Sequence, residues 1–301
     1  MIIVNLGFPK TSTTNLQTYL YPNLKNINYL GRNYKKINSN LFNELNDFIE
    51  NRRHFSNSDL NNLTRNFEHY CKENKKILIS QENWVVPYQK NNLTNKMEIV
   101  SQKNKLTNLL FILNKINIPY KFFFIQRDLK TSIASLFVTL QERIQILFGK
   151  KFSSFDFFLD HIDKKKDGWE NLLLLLDTFN LNKIIKIIPK DKIQIFYYKD
   201  LLNDNEKFLN NLLNYLGTEK NYDFDNMLSI QTRKTTKNQR GDYEFQVENK
   251  ILKFLKFLIP KFVRNKINII LRIRFIKTFL FKRMTVKKDS DILEKIIIKY
   301  F

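Results

Sequence analysis

The chain has 301 residues, with 51 Lys and Arg against 29 Asp and Glu, so its formal net charge is +22. This length fits one large α/β domain or two small ones, and a hydrophobic fraction of 43% with 27 Phe and 13 Tyr excludes a disordered chain. The single cysteine, Cys71, excludes an intramolecular disulfide framework and any zinc site built from several cysteines, and it fits a reducing compartment.

Short apolar runs alternate with longer segments of helical periodicity. The apolar runs predict buried strands at residues 2–6, 76–80, 121–126 and 193–198, and a further short strand at 28–30. The periodic segments predict helices at residues 13–21, 41–51, 60–72, 99–116, 169–179 and 208–216. This alternation predicts a three-layer α/β fold, in which helices flank a central parallel sheet.

The end of the chain, from about residue 248 to 301, has a different composition. Basic and apolar residues alternate there without an acidic residue between positions 251 and 284, and a final amphipathic helix is predicted at 290–300. We therefore expect a single domain over residues 1–301 with a basic helical C-terminal extension at about 248–301. The positive charge indicates an anionic partner or, equally, AT-rich coding that enriches lysine on solvated faces.

Neither a signal peptide nor an apolar stretch of the ~20 residues needed to span a membrane is present. The sequence therefore predicts a cytoplasmic protein, with peripheral contact to an anionic membrane through residues 251–284 as a further hypothesis. Nucleic acid is not an expected partner.

The turn after the first predicted strand is rich in hydroxyl groups. Residues 7–15 read Gly-Phe-Pro-Lys-Thr-Ser-Thr-Thr-Asn, and a predicted helix follows. Backbone N–H groups at a helix start, together with Lys10 and four hydroxyl side chains, predict an anion site, whereas the simpler interpretation is a capped helix. The nucleoside-triphosphate loop G-x-x-x-x-G-K-[ST] does not fit, because positions 12 and 13 are Ser and Thr.

A second strand, turn and helix contain Arg127 at the strand end and Ser135 eight positions later. Ligands collect at the carboxyl ends of strands in open α/β sheets, and an Arg fork with a hydroxyl suits a terminal phosphate. The alternatives are an ordinary Arg127–Asp128 turn, or Asp128 as the magnesium-binding carboxylate of a P-loop kinase.

These two motifs together resemble those of sulfotransferases that use 3′-phosphoadenosine 5′-phosphosulfate (PAPS). The first resembles the family's G-x-P-K-[ST]-G-T-T loop, with Ser12 where the family commonly has Gly. The second resembles R-[DN]-P-x-x-x-x-x-S, with Leu129 in place of Pro. Residues 195–217 resemble the family's late strand and helix, with Lys199 in place of Glu, so the likeness spans about residues 1–217 and implies a P-loop NTPase-like sulfotransferase fold.

The resemblance implies a role for each matching residue. The 5′-phosphosulfate would be bound by Lys10, Thr11, Ser12, Thr13 and Thr14, with Lys10 also neutralising charge on the leaving oxygen. Arg127 and Ser135 would bind the 3′-phosphate. A late basic loop containing Arg240 and Gly241 would close over the nucleotide, although any solvated basic loop has a similar sequence.

Glu82 follows the strand predicted at 76–80 and therefore emerges at the same sheet edge as Lys10 and Arg127. It resembles the catalytic base of the carbohydrate-type branch of the family, and the alternative is a surface carboxylate paired with lysines. The three histidines lie elsewhere in the sequence, and Trp84 suits either a sugar-stacking face or the core. Three scattered His and one Cys give no metal-ligand spacing, so no metal is expected.

The predicted function is transfer of a sulfuryl group from PAPS to a hydroxyl or amine acceptor, with a carbohydrate as the preferred class. Two alternatives stay open: a P-loop-type ATP-dependent kinase, and a non-catalytic basic protein that binds membranes or nucleic acid.

Overall fold

A five-stranded parallel sheet forms the centre of the protein. The computed structural model describes residues 1–8, 13–31, 40–90, 97–219, 236–237, 243–248, 281–287 and 290–301. The strands of the central sheet are β1 (Ile2–Asn5), β2 (Asn28–Gly31), β3 (Ile77–Ser80), β6 (Tyr120–Gln126) and β7 (Ile193–Tyr197), in the spatial order β2-β3-β1-β6-β7. Every adjacent pair in this sheet is parallel, as the buried apolar runs predict.

Side chains of the strands alternate between two apolar layers. Ile2, Val4 and Phe124 belong to one buried cluster, whereas Ile3 and Phe123 belong to a second cluster on the opposite face. Because neighbouring residues of a strand point to opposite faces, these two clusters are the two sides of one sheet. The predicted three-layer α/β architecture is thus confirmed.

The helices cover both faces of the sheet. The first is a short α-helix, α1 (Thr13–Asn15), which continues as a π-helical turn (Leu16–Leu20) and a 3₁₀ turn (Tyr21–Asn23). The longer α-helices that follow are α2 (Asn40–Ile49), α3 (Asn57–Glu73), α4 (Gln102–Lys115), α5 (Leu129–Phe148), α6 (Phe155–Asp163) and α7 (Trp169–Leu176). The remaining α-helices described are α8 (Leu181–Ile185), α9 (Tyr198–Asn203), α10 (Asn205–Leu216) and α11 (Asp291–Tyr300). None of the described helices is both long and apolar enough to span a membrane.

The helix predicted at residues 99–116 begins later than expected. Ser101 is its N-cap, accepting a hydrogen bond from the Asn104 amide, and the preceding segment is strand β5 (Met97–Ile99). This strand pairs antiparallel with β4 (Tyr88–Lys90), so a β-hairpin replaces the first predicted helical turn. The apolar residue Ile99 suits either structure, and its pairing with Tyr88 decides between them.

The end of the chain combines a strand and a helix. Strand β10 (Phe281–Val286) pairs antiparallel with β9 (Tyr243–Glu248), which also pairs with β8 (Thr236–Lys237). The helical character expected of the C-terminal extension therefore holds for α11, but residues 281–286 form a strand. Leu293 and Ile296 of α11 are buried in the same apolar cluster as Ile2, so this helix belongs to the main core.

Candidate functional site

The ends of β1, β3 and β6 lie side by side at one edge of the sheet. Asn5, the last residue of β1, is in register with Ser80 at the end of β3 and with Phe123 of β6. Chain connections leave β1 toward the β2 side and leave β6 toward β7, so the topology reverses between β1 and β6. In open α/β sheets, the crevice at such a reversal is the usual ligand site.

The hydroxyl-rich loop follows β1 at this reversal. Residues 9–12, which include Lys10, Thr11 and Ser12, lie outside the described residues, as do Arg240 and Gly241. The backbone helix begins at Thr13, as the sequence predicts, and the Thr14 carbonyl accepts a hydrogen bond of 2.6 Å from the Thr18 hydroxyl. The strand–loop–helix order around the predicted anion loop is therefore present.

A buried polar network lies at the ends of β1 and β3. The Asn5 amide donates to the Tyr21 hydroxyl at 2.7 Å and to the Ser80 hydroxyl at 3.2 Å, and the Gln17 amide donates to the same Ser80 hydroxyl at 2.9 Å. Burial raises the pKa of Tyr21 well above its ordinary value, so the phenol stays neutral. Because Gln17 lies in the π-helical turn, this turn connects the helix after the loop to β3.

Arg127 emerges at the tip of β6, beside the first residue of α9. Its guanidinium carbon lies 5.0 Å from the centroid of the Tyr198 ring, an arrangement typical of a cation–π contact. The next residue, Asp128, caps α5, since its carboxylate accepts a 2.8 Å hydrogen bond from the Thr131 amide. The Asp128 carboxylate is therefore the N-cap of α5.

Ser135 lies on α5 with 1% of its surface exposed, and its carbonyl accepts a hydrogen bond from the Thr139 hydroxyl. Ser132, one turn earlier, is equally buried, and its hydroxyl has no hydrogen-bond partner among the described residues. A buried unpaired hydroxyl is costly in a folded protein. Ser132 is therefore a further candidate donor at this end of α5, which the sequence motif does not single out.

Glu82 begins a 3₁₀ turn (Glu82–Trp84) directly beyond the end of β3 and is partly exposed. The turn is fixed by the buried Asn46 of α2, whose side-chain oxygen accepts hydrogen bonds from the Trp84 indole at 2.9 Å and the Gln81 amide at 3.1 Å. Trp84 is fully buried, so it belongs to the core and has no face for sugar stacking. Glu82 thus emerges from a rigid turn at the same sheet edge as Arg127.

The buried Lys105 of α4 supports this turn from inside the protein. Its ammonium group donates to the carbonyls of Val86 at 2.8 Å, Asn83 at 3.1 Å and Tyr88 at 3.5 Å. Burial lowers the pKa of Lys105 to about 8, a shift opposed by the nearby charge of Glu50. Because these three acceptors are main-chain carbonyls, the ammonium fixes the path of the chain from Asn83 to Tyr88.

Lys105 is expected to make stability depend on pH. Its ordinary pKa of 10.5 exceeds its folded value of about 8, so between these pH values the unfolded state binds more protons and stability rises with pH. We expect this group to add about 2 kcal/mol to the unfolding free energy between pH 8 and 10. Urea unfolding gives the unfolding free energy of the wild type and of Lys105→Met at pH 8 and at pH 10. The contribution of Lys105 is the change, between these two pH values, in the difference between the two free energies.

Lys103→Met, at an exposed position of the same helix, is the matched control, and its difference from wild type should not change with pH. The buried tyrosines lose protons at higher pH in every variant, so they cancel in the comparison. If the difference in unfolding free energy between wild type and Lys105→Met stays constant from pH 8 to 10, the lowered pKa of Lys105 is contradicted.

Tyr88 and Arg143 lie near Glu82, although sequence motifs identify neither of them. The guanidinium carbon of Arg143, on α5, lies 5.5 Å from the centroid of the Tyr88 ring at the start of β4. Burial raises the pKa of Tyr88 to about 12, with the charge of Arg143 opposing and that of Glu82 reinforcing the rise. The three side chains therefore form one electrostatic cluster, which we call the Glu82 cluster.

Other chemically active groups among the described residues lie apart from this edge. No group of three or more His, Cys, Asp or Glu in the described part of the chain could hold a metal ion. Burial raises the pKa of Cys71 to about 12, so its thiol is not a reactive nucleophile. His161 packs between Phe152 and Phe157 in α6, which fits a core position.

No family model and no curated protein matches this chain. Several solved structures resemble it, and two of them are sulfotransferases. A sulfotransferase from Alicyclobacillus acidocaldarius is 12% identical with a TM-score of 0.43, and the match covers 73% of this chain and 82% of that chain. The sulfotransferase domain of the Synechococcus PCC 7002 olefin synthase is 14% identical with a TM-score of 0.34, and the match covers 76% of this chain and 79% of that chain.

At these identities the likeness concerns the fold and not the site residues. With TM-scores of 0.43 and 0.34, these structures carry no argument about the residues of this chain.

Proposed function

We propose that this protein is a sulfotransferase that uses PAPS as its donor. The observation that supports it most is the position of both predicted anion-binding motifs at the carboxyl ends of adjacent strands, where the sheet topology reverses. One donor with a phosphosulfate at one end and a 3′-phosphate at the other would span these two strand ends. Lys10 with Thr11, Ser12, Thr13 and Thr14 would hold the first, and Arg127 with Ser135 the second.

The environment of Asp128 favours this donor over Mg-ATP. A kinase needs a carboxylate that holds magnesium near the transferred phosphoryl group. Asp128 is the candidate in the sequence, and its carboxylate instead caps α5 through the Thr131 amide. Sulfuryl transfer does not need a magnesium-binding carboxylate, because Lys10 and backbone N–H groups would neutralise the charge on the leaving phosphate.

Glu82 would act as the general base in the transfer. Its carboxylate would take the proton of an acceptor hydroxyl or amine while that atom forms a bond to sulfur. The bond between sulfur and the phosphate oxygen breaks at the same time, and the electron pair stays on adenosine 3′,5′-bisphosphate. The buried contacts of Asn46 and Lys105 would keep the carboxylate in place, so that little reorganisation is needed during the reaction.

A carbohydrate is the acceptor class that a carboxylate base favours, as the family resemblance implies. The basic segment 251–284 would add peripheral contact with an anionic membrane for a cytoplasmic enzyme, and liposome co-sedimentation of the full chain tests that contact. Residues 251–280 lie outside the described part of the chain.

Isothermal titration of the full chain tests the donor. We expect adenosine 3′,5′-bisphosphate to bind without magnesium and more tightly than Mg-ATP, because only the bisphosphate offers a 3′-phosphate to Arg127. Incubation with ³⁵S-labelled PAPS and a panel of glycans then identifies the acceptor. A preference for Mg-ATP would support the kinase alternative, and binding of neither nucleotide would support a non-catalytic basic protein.

A further inference from the structure

Arg143 lies in the Glu82 cluster without an ion-pair partner in the described part of the chain. It is exposed, and no carboxylate among the described residues lies within ion-pair distance of it. A guanidinium has five N–H donors in a planar fork, and here its described neighbour is Tyr88, through the ring and a hydrogen bond to the hydroxyl. Most of its donors are therefore available to a ligand.

The position of Arg143 along α5 separates it from the proposed nucleotide site. It follows Ser135 by eight residues, which corresponds to about 12 Å along the helix axis. It also lies near the β4–β5 hairpin, which follows the turn that begins at Glu82. Arg143 is thus on the side of the site where an acceptor would meet the proposed base, and away from the 3′-phosphate.

Charge also limits what this side of the site can bind. The Glu82 carboxylate would repel an anionic acceptor unless a cation also contacts that acceptor, and Arg143, whose charge acts on Tyr88 as that of Glu82 does, would supply one. Burial raises the pKa of Tyr88 to about 12, so its hydroxyl is neutral at physiological pH and can donate to the same acceptor group. A planar carboxylate matches the fork of a guanidinium with two parallel hydrogen bonds.

We propose that Tyr88 and Arg143 bind a carboxylate of the acceptor, next to the hydroxyl that Glu82 deprotonates. The inference rests on the proposed function and narrows its acceptor class to acidic sugars, of which a uronic acid is the simplest. It assigns Arg143 as a specificity-determining residue.

Two glycosides that differ in one group test the proposal. The full chain, saturated with adenosine 3′,5′-bisphosphate, is titrated with p-nitrophenyl β-D-glucuronide and with p-nitrophenyl β-D-glucoside. We expect the glucuronide to bind roughly 10- to 100-fold more tightly, as for a hydrogen-bonded charge pair. Arg143→Gln should abolish this preference, and Tyr88→Phe should reduce it several-fold. Neither variant should change the affinity for the bisphosphate.

Arg65→Gln, at an exposed position of α3, is the control and should keep the preference. Equal affinity for the two glycosides, binding of neither, or an unchanged preference in Arg143→Gln overturns the inference. Failure to bind the bisphosphate contradicts the proposed function instead. In that case, the same titrations on the nucleotide-free protein still decide whether Arg143 recognises a carboxylate.

Discussion

Glu82→Gln is expected to lower kcat by about 10²- to 10⁴-fold, because a general base contributes about this much to a rate. The amide has nearly the shape of the carboxylate but cannot take a proton from the acceptor. Since the turn that holds Glu82 is fixed by Asn46 and Lys105, the variant should fold normally and bind adenosine 3′,5′-bisphosphate as tightly as the wild type. Transfer from ³⁵S-labelled PAPS under single-turnover conditions measures the effect on chemistry alone.

Glu73→Gln provides the control for this variant. Glu73 is exposed at the end of α3, just before β3, so it lies at the opposite end of the strand that leads to Glu82. Its removal should leave the rate unchanged. If Glu82→Gln transfers sulfuryl groups at the wild-type rate, the carboxylate is a surface group and another base must be sought.

Arg127→Met is expected to weaken binding of adenosine 3′,5′-bisphosphate by about 100-fold while leaving adenosine 5′-monophosphate unaffected. The two nucleotides differ by the 3′-phosphate, and a bidentate charged hydrogen bond to it would account for a loss of this size. Arg127→Lys keeps the charge and loses the fork, so we expect an intermediate affinity. Isothermal titration of each variant with both nucleotides gives the comparison.

Lys192→Met is the matched control, because Lys192 precedes β7 at the edge of the sheet opposite to Arg127. Its loss should change neither affinity. Equal weakening of both nucleotides by Arg127→Met would mean that Arg127 supports the site as a whole and does not recognise the 3′-phosphate.

The centre of the sheet could be predicted from the sequence because its three central strands are buried on both faces. The interiors of the runs at 2–6, 76–80 and 121–126 are mostly apolar, and each observed strand differs from its run by one residue at one end. The ends of α10 follow ordinary capping chemistry: Asp204 accepts a hydrogen bond from the Lys207 amide at the start of the helix, and Gly217 ends it with a φ of 63°.

Long-range contacts explain what the sequence does not predict. The π-helical turn contains Gln17, which donates a hydrogen bond to the distant Ser80, and an apolar pattern cannot distinguish this turn from an α-helix. Strand β5 pairs with β4, a partner that the periodicity of residues 99–116 does not reveal. Trp84 is buried in the main apolar cluster, where Asn46, 38 positions earlier, accepts a hydrogen bond from its indole. Tyr88 and Arg143 meet across 55 positions, the difference between their numbers, so no local motif marks them.

The order of the strands has a consequence for how such a site can diversify. Under the proposed function, the donor would be bound by residues that follow β1 and β6, whereas the acceptor would meet residues 82–90, which follow β3, together with Arg143 of α5. The segment 82–90 is separate in the sequence from the donor-binding residues. Substitutions in the turn and hairpin after β3 could therefore give the enzyme new acceptors over time, without altering how it binds the sulfuryl donor.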